Sequence, residues 1–165
     1  LPIARNYFTY LKSAEKKGVK VNFIFGDGRV NLTKETDSKF DLLIIDAFGS
    51  GSIPTHLLTI EAFKEYLRVI NNDGMLLMHI SNKFVNFIPL LISIADTLDI
   101  KLVFKSNLVN HHPDSDVTLW AAMTKSAENY TTLTKTLGWS TPRYKKESLM
   151  APWTDTYSNI IQLLF

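Results

Sequence analysis

The sequence predicts an α/β fold: a mostly parallel sheet with helices on its faces and an antiparallel pair at one edge. Three observations carry this. Segments of helical spacing alternate with short apolar runs, the pattern of a parallel sheet built from crossovers. Phe40–Asp46 (FDLLIID) is an unbroken apolar run closed by a carboxylate, which reads as a strand buried on both faces. Lys101–Ser106 and Val117–Thr124 read as strands joined by a polar loop of roughly ten residues without helical pattern, which suits an antiparallel pair.

The elements follow in order. Tyr7, Phe8, Leu11 and Ala14 have helical spacing, and Lys16-Lys17-Gly18 supplies a basic last turn and a glycine stop. Lys20–Phe25 reads as a short strand, followed by the turn Gly26-Asp27-Gly28 and a short helix within Arg29–Glu35. After the Phe40–Asp46 strand comes a Gly/Ser loop and Pro54. Thr55–Ile70 then shows the clearest helical face, built from Leu57, Leu58, Phe63, Tyr66, Leu67 and Ile70. Asn71-Asn72-Asp73-Gly74 is a breaker cluster before the apolar strand Met75–Ile80. Phe84–Leu98 reads as a second apolar helix, with Pro89 forcing a kink or a late start. Ala127–Leu137 is a helix ending at Gly138, and residues 139–165 are a tail that docks on the single domain.

With 165 residues, 45% of them hydrophobic and 21% charged, the chain has material for one domain with a sizeable core. A formal net charge of +2 leaves no nucleic-acid footprint. Cysteine is absent, which excludes disulfides, thiolate nucleophiles and Cys-based metal sites and makes a reducing, cytoplasmic compartment the expectation. No run approaches the ~18 apolar residues of a membrane span. Residues 1–11 carry no secretory pattern, so the sequons at Asn31 and Asn129 read as chance matches. Leu1 is not a natural initiator, and the chain is expected to begin inside a longer one.

In a parallel sheet, ligands bind outside the carboxyl ends of the strands. Asp46 stands at such an end, where a carboxylate requires a partner: a substrate amine, a cofactor donor or backbone N–H groups. A structural strand-end role is the alternative. His79 ends the next strand and reads either as a ligand-facing or proton-moving group or as a satisfied strand-end residue. Gly26-Asp27-Gly28 reads as a tight turn. His56 reads as solvent-facing or helix-capping. His111, His112, Asp114 and Asp116 share one short loop with no partner cluster, so no metal site is expected. Trp153, Asp155, Ser158 and Asn159 form a distinctive tail segment. No Ser-His-Asp order and no phosphate-binding lysine loop stand out.

The ordered set VNFIFGDGR (21–29), FDLLIID (40–46), Pro54 before a Leu-rich helix and Asn72-Asp73-Gly74 before a strand resembles the spermidine synthase (polyamine aminopropyltransferase) family. That family has the S-adenosylmethionine-dependent methyltransferase fold. Its branch of spermidine synthase-like proteins is closer still, because DAF, IP-HLLT-EAF, DG, HISN and a terminal WTD--SN all occur here. The resemblance covers nearly the whole chain. It implies a Rossmann-like methyltransferase fold truncated at its N-terminus, without the first two strands, the glycine-rich loop and the ribose-binding acid.

The resemblance further implies site residues. Gly26, Asp27, Gly28 and Ala47 would hold the nucleoside, with Asp27 accepting from the adenine amino group. Asp46 would be the catalytic-loop acid, and Phe48 and His79 would face the acceptor. The co-substrate implied is S-adenosylmethionine or its decarboxylated form, with no metal. Authentic enzymes carry a second acid three residues after the first; Gly49 stands there in this chain. The expected function is therefore transfer of an aminopropyl or other alkyl group to a small-molecule nucleophile, in an enzyme that is not a standard putrescine aminopropyltransferase. Two alternatives stay open: a non-catalytic remnant or interaction module of the same fold, and a methyltransferase with a non-polyamine acceptor. The chain as given is expected to be inactive alone. Without its usual neighbours, Lys20–Phe25 is expected either to pair beside Phe40–Ile45 or to remain an exposed edge, with homodimerisation or low solubility as the consequence.

Overall fold

The computed structural model describes residues 7–47, 54–107 and 118–165. Helix α1 spans Tyr10–Lys16 and stops at Gly18, whose φ of +79° suits a residue without Cβ. Helix α2 spans Gly28–Leu32 and strand β1 spans Phe40–Ile45. A single 3-10 turn at Thr55–Leu57 precedes helix α3, Ile60–Val69. Strand β2 covers Ile70–His79 and helix α4 covers Ile88–Thr97. Strands β3 (Lys101–Asn107) and β4 (Thr118–Thr124) follow, then helix α5, Ala127–Thr131. A wider helical turn over Thr132–Thr136 continues α5, and the chain leaves it at Gly138, φ +68°.

The sheet order is β1-β2-β4-β3. β1 and β2 are parallel, and β4 is antiparallel to both of its neighbours. Three strands thus point one way and β4 runs between two of them in the opposite sense. The α/β class, the mainly parallel strand direction and the antiparallel β3/β4 edge pair are those expected from the sequence.

Alternation along the strands makes two faces. On one, Leu76, Met78, Leu102, Phe104, Ala121 and Met123 meet Phe63 and Tyr66 of α3, Leu91 of α4 and Trp153 of the tail. On the other, Val103 and Ala122 pack on Leu133, with Leu77 and Trp139 alongside. Full burial of one large apolar side chain contributes about 1.5–3 kcal/mol, so the first face dominates stability.

Four local features differ from the sequence reading. Lys20–Phe25 forms no ladder, and Phe23, Ile24 and Phe25 are exposed. A strand needs a neighbour for its backbone groups, and no described residue pairs with β1 on the side away from β2. β1 is not buried on both faces: Leu43 and Ile45 reach the core, whereas Leu42 and Ile44 stay about half exposed. The long helix divides, because Thr59 adopts extended geometry and caps α3 by accepting from the Ala62 N–H.

The breaker cluster lies inside β2 rather than before it. Register runs from Phe40↔Ile70 to Leu42↔Met75, so β2 bulges over Asn71–Gly74. The bulge is held from three sides. The Asn71 amide donates to Asp41, the Thr124 hydroxyl donates to the Gly74 carbonyl at 2.9 Å, and the Asn129 amide donates to the Asp73 carbonyl at 2.6 Å. Pro89 sits in the first turn of α4, where its missing N–H costs nothing; it gives a late start and no kink.

Candidate functional site

Parallel pairing brings the carboxyl ends of β1 and β2 together. Ile45 opposes Met78, so the next residues, Asp46 and His79, stand side by side. His79 Nδ1 lies 2.9 Å from Asp46 Oδ1, and His79 Nε2 lies 2.8 Å from Ser81 Oγ. Ser81 Oγ also accepts from the Leu119 N–H at 2.7 Å. The imidazole stacks on Trp120, its cross-strand neighbour, with ring centroids 4.8 Å apart and planes at 22°.

These contacts assign the protons of the neutral ring. A carboxylate only accepts, so Nδ1 carries the hydrogen toward Asp46. Nε2 is then an acceptor and takes the Ser81 hydroxyl proton. An ordered chain results, running Leu119 N–H, Ser81 O–H, His79 and Asp46. Ser81 escaped the sequence reading because its second partner, the Leu119 N–H, comes from β4, far along the chain. Its signal was the H-x-S spacing, which places residues 79 and 81 on one side of an extended segment.

A second polar cluster joins α2, α3 and the tail. Asp27 caps α2: Oδ1 accepts from the Val30 N–H at 2.9 Å, and Oδ2 lies 3.0 Å from His56 Nε2. The Val30 N–H holds the Asp27 carboxyl below its ordinary range, against some desolvation and with help from His56. Arg29 grips Asp155 through two parallel hydrogen bonds of 2.7 Å and donates to the His56 carbonyl at 2.8 Å. The Thr59 hydroxyl donates to Asp155 at 2.7 Å. Arg29 first, and then Thr59, bring the Asp155 carboxyl down to about 2. Asp155 thereby fixes the tail, while Trp153 two residues earlier is fully buried. Burial pushes the Tyr66 phenol up, against the pull of Arg29, and its hydroxyl donates to the Leu57 carbonyl at 3.1 Å.

Between α2, β1 and the start of α3 lies a cavity of about 370 Å³, in the usual range for a small-molecule site. Gly28, Ile44, Asp46, Ala47, Leu57 and Tyr66 are among its walls. Of the residues singled out from the sequence, Gly28, Asp46 and Ala47 line this cavity. Gly26 and Asp27 form the turn leading to it, Gly26 at φ +113°. His79 adjoins it through Asp46. Phe48, Gly49 and the His111–Asp116 group lie outside the described residues. Among the described residues no three His, Asp or Glu side chains come together to hold a metal ion, and no helix is long and apolar enough to cross a membrane.

No family model matches the chain, and no curated protein matches it. Solved structures do. A spermidine synthase from Thermotoga maritima superposes with a TM-score of 0.51 and 14% identity, over 88% of this chain and 50% of that one. A probable spermidine synthase from Corynebacterium glutamicum gives 0.55 and 15%, over 91% of this chain and 62% of the other. This chain therefore spans between half and about three-fifths of the length of these structures. At such identity the likeness shows the fold: a Rossmann-like methyltransferase fold of the kind spermidine synthase has.

Proposed function

We propose that this chain belongs to a transferase that binds an S-adenosylmethionine-type nucleoside and moves an alkyl or aminopropyl group from its sulfonium to a small nucleophile. The observation that carries this reading is the placement of Asp46: it ends β1, lines the 370 Å³ cavity and is oriented by His79. The fold supports the ligand class. The local chemistry fits it as well. Ile44, Leu57 and the ring of Tyr66 offer apolar walls to an adenine, and the Gly26-Asp27-Gly28 turn lets backbone approach closely. The Asp27 carboxylate has an accepting position left for an exocyclic amine beyond its Val30, Arg29 and His56 contacts.

The bound nucleoside supplies an electrophilic carbon beside a sulfonium. The protein supplies position and charge. Asp27 and Gly28 hold the base, and the Tyr66 hydroxyl, tied to Leu57, keeps that wall rigid. Asp46 places one negative charge beside the cavity, near any cation bound there. The reaction is expected to proceed without a metal.

A methyltransferase acting on a non-polyamine acceptor is favoured by one observation. The Asp46 carboxylate is engaged by an imidazole, and Gly49 stands where the resemblance asks for a second acid. The site therefore has less negative charge than a diamine needs at both ends.

Calorimetric titration of the full-length protein with S-adenosylmethionine, its decarboxylated form and methylthioadenosine tests the reading. Binding that Asp27→Asn weakens at least tenfold, and an Asp46→Asn protein that binds but no longer transfers, support it. Failure to bind all three nucleosides would return the chain to the non-catalytic alternative.

A further inference from the structure

The Asp46–His79–Ser81 chain is not used by the reading above beyond its carboxylate. We propose that Ser81 and His79 form a proton relay that deprotonates the acceptor nucleophile, with Asp46 as the positioning residue behind the imidazole. The proposal rests on the transferase reading and adds the path of the proton and the side on which the acceptor sits.

Three geometric facts carry it. The Ser81 hydroxyl gives its hydrogen to Nε2 at 2.8 Å while one of its lone pairs accepts from the Leu119 N–H at 2.7 Å. One lone pair remains to accept a hydrogen from a third group. Second, the imidazole is fixed at both nitrogens and on one face, by Asp46, Ser81 and the stacked Trp120 ring. With its donor and its acceptor nitrogen both engaged, the ring is held in a single tautomer and a single orientation. Third, Asp46 belongs to both places: it lines the nucleoside cavity and it holds His79, whereas Ser81 is not among the walls of that cavity. The acceptor thus has its own side, next to Ser81 and Trp120, with the electrophilic carbon between it and the cavity.

The step balances. The acceptor N–H, O–H or S–H passes its proton to Ser81 Oγ as the Ser81 proton passes to Nε2. The freed lone pair of the acceptor forms a bond to the carbon beside the sulfonium. The C–S bond breaks with its electron pair going to sulfur, which leaves as a neutral thioether. The imidazolium formed is stabilised by Asp46 and later returns its proton to water. An acceptor that arrives uncharged suits this path, since a cation would meet an imidazolium as the proton moves.

The test has one readout that needs no turnover. In the full-length protein labelled with 15N at histidine, the neutral His79 ring should carry its hydrogen on Nδ1, and Asp46→Asn should weaken that preference. A ring protonated at Nε2 overturns the relay whatever the turnover. The second readout is thioether release from S-adenosylmethionine or its decarboxylated form, offered with primary amines, thiols and phenols. Ser81→Ala and His79→Gln should each lower kcat by about 10²-fold or more with the nucleoside KM unchanged, and Ser81→Thr should restore part of the rate. Nucleoside binding with undiminished turnover in both variants fails the relay alone, whereas nucleoside binding with no release from any acceptor fails the transfer step and the relay with it. Absence of nucleoside binding fails the transferase reading and the relay with it. Covalent labelling of Ser81 by a fluorophosphonate would make it a nucleophile in its own right and overturn the shuttle role.

Discussion

Arg29 and Asp155 meet across 126 residues of sequence, guanidinium to carboxylate, through paired hydrogen bonds of 2.7 Å. Arg29 is largely buried and Asp155 about half exposed, so solvent screens the pair from one side only. The contact ties the C-terminal segment to α2 and, through Thr59, to the first turn of α3.

A pH dependence follows. The Asp155 carboxyl sits at about 2 in the folded protein, below its ordinary 3.8. A depressed carboxyl stabilises the fold above its unfolded value, and that contribution is lost as pH falls through the folded one. Stability should therefore drop between about pH 4 and pH 2, where Asp155→Asn should show a flatter profile. Screening limits the effect at neutral pH to about 1 kcal/mol. Thermal denaturation of both proteins across that range measures it, and identical profiles would count against the clamp.

The β2 bulge makes a separate prediction. A Cβ on Gly74 would come within 2.4 Å of Ile70 Cγ2 and 2.9 Å of the Asp41 carbonyl oxygen. The second neighbour is backbone of β1 and moves only by disturbing the ladder. Gly74→Ala should cost about 1–3 kcal/mol as overpacking. Urea unfolding should show a lowered midpoint; an unchanged one would mean the bulge relaxes freely.

Substrate choice under the proposed function is testable at Gly49, where the resemblance asks for a second acid. A diamine needs an anion near each amine, and this chain has Gly49 in place of a second acid. Putrescine should be a poor acceptor for the full-length protein, and Gly49→Asp should improve it. Each tenfold gain in kcat/KM corresponds to about 1.4 kcal/mol of transition-state binding. Product chromatography showing efficient spermidine formation by the unmodified protein would refute this.

The open side of β1 concerns association. Leu42, which is not among the walls of the cavity, presents apolar surface, and no described residue pairs with the strand edge beside it. We propose that two copies of this chain cover each other there. Sedimentation should show concentration-dependent dimers that Leu42→Lys disperses. A monomeric chain at all concentrations, or a dimer indifferent to that change, would point to another cover for the strand.

What the sequence determined by itself is local and periodic. Apolar runs and helical spacing set the α/β class, the order of the main elements from Phe40 onward and the antiparallel end pair, because burial demands those periods wherever a chain folds. Chain punctuation was legible too: Gly18 and Gly138 end helices, and Pro89 starts one late. The strand-end position of Asp46 could be read from one run of letters, FDLLIID.

Only the tertiary structure decided what those residues touch. Whether a strand is buried on one face or two depends on neighbours supplied from elsewhere, which is why Phe40–Ile45 read as buried on both faces and yet leaves Leu42 and Ile44 about half exposed. Asn71–Gly74 carries every local mark of a break, yet side chains from β1, β4 and α5 hold it within the ladder. Asp155 is one acid in a tail until Arg29 reaches it. Ser81 becomes functional only when β2 and β4 bring His79 and the Leu119 N–H to the same hydroxyl. Such contacts join groups far apart along the chain, and their energies come from desolvation and geometry that no local pattern encodes.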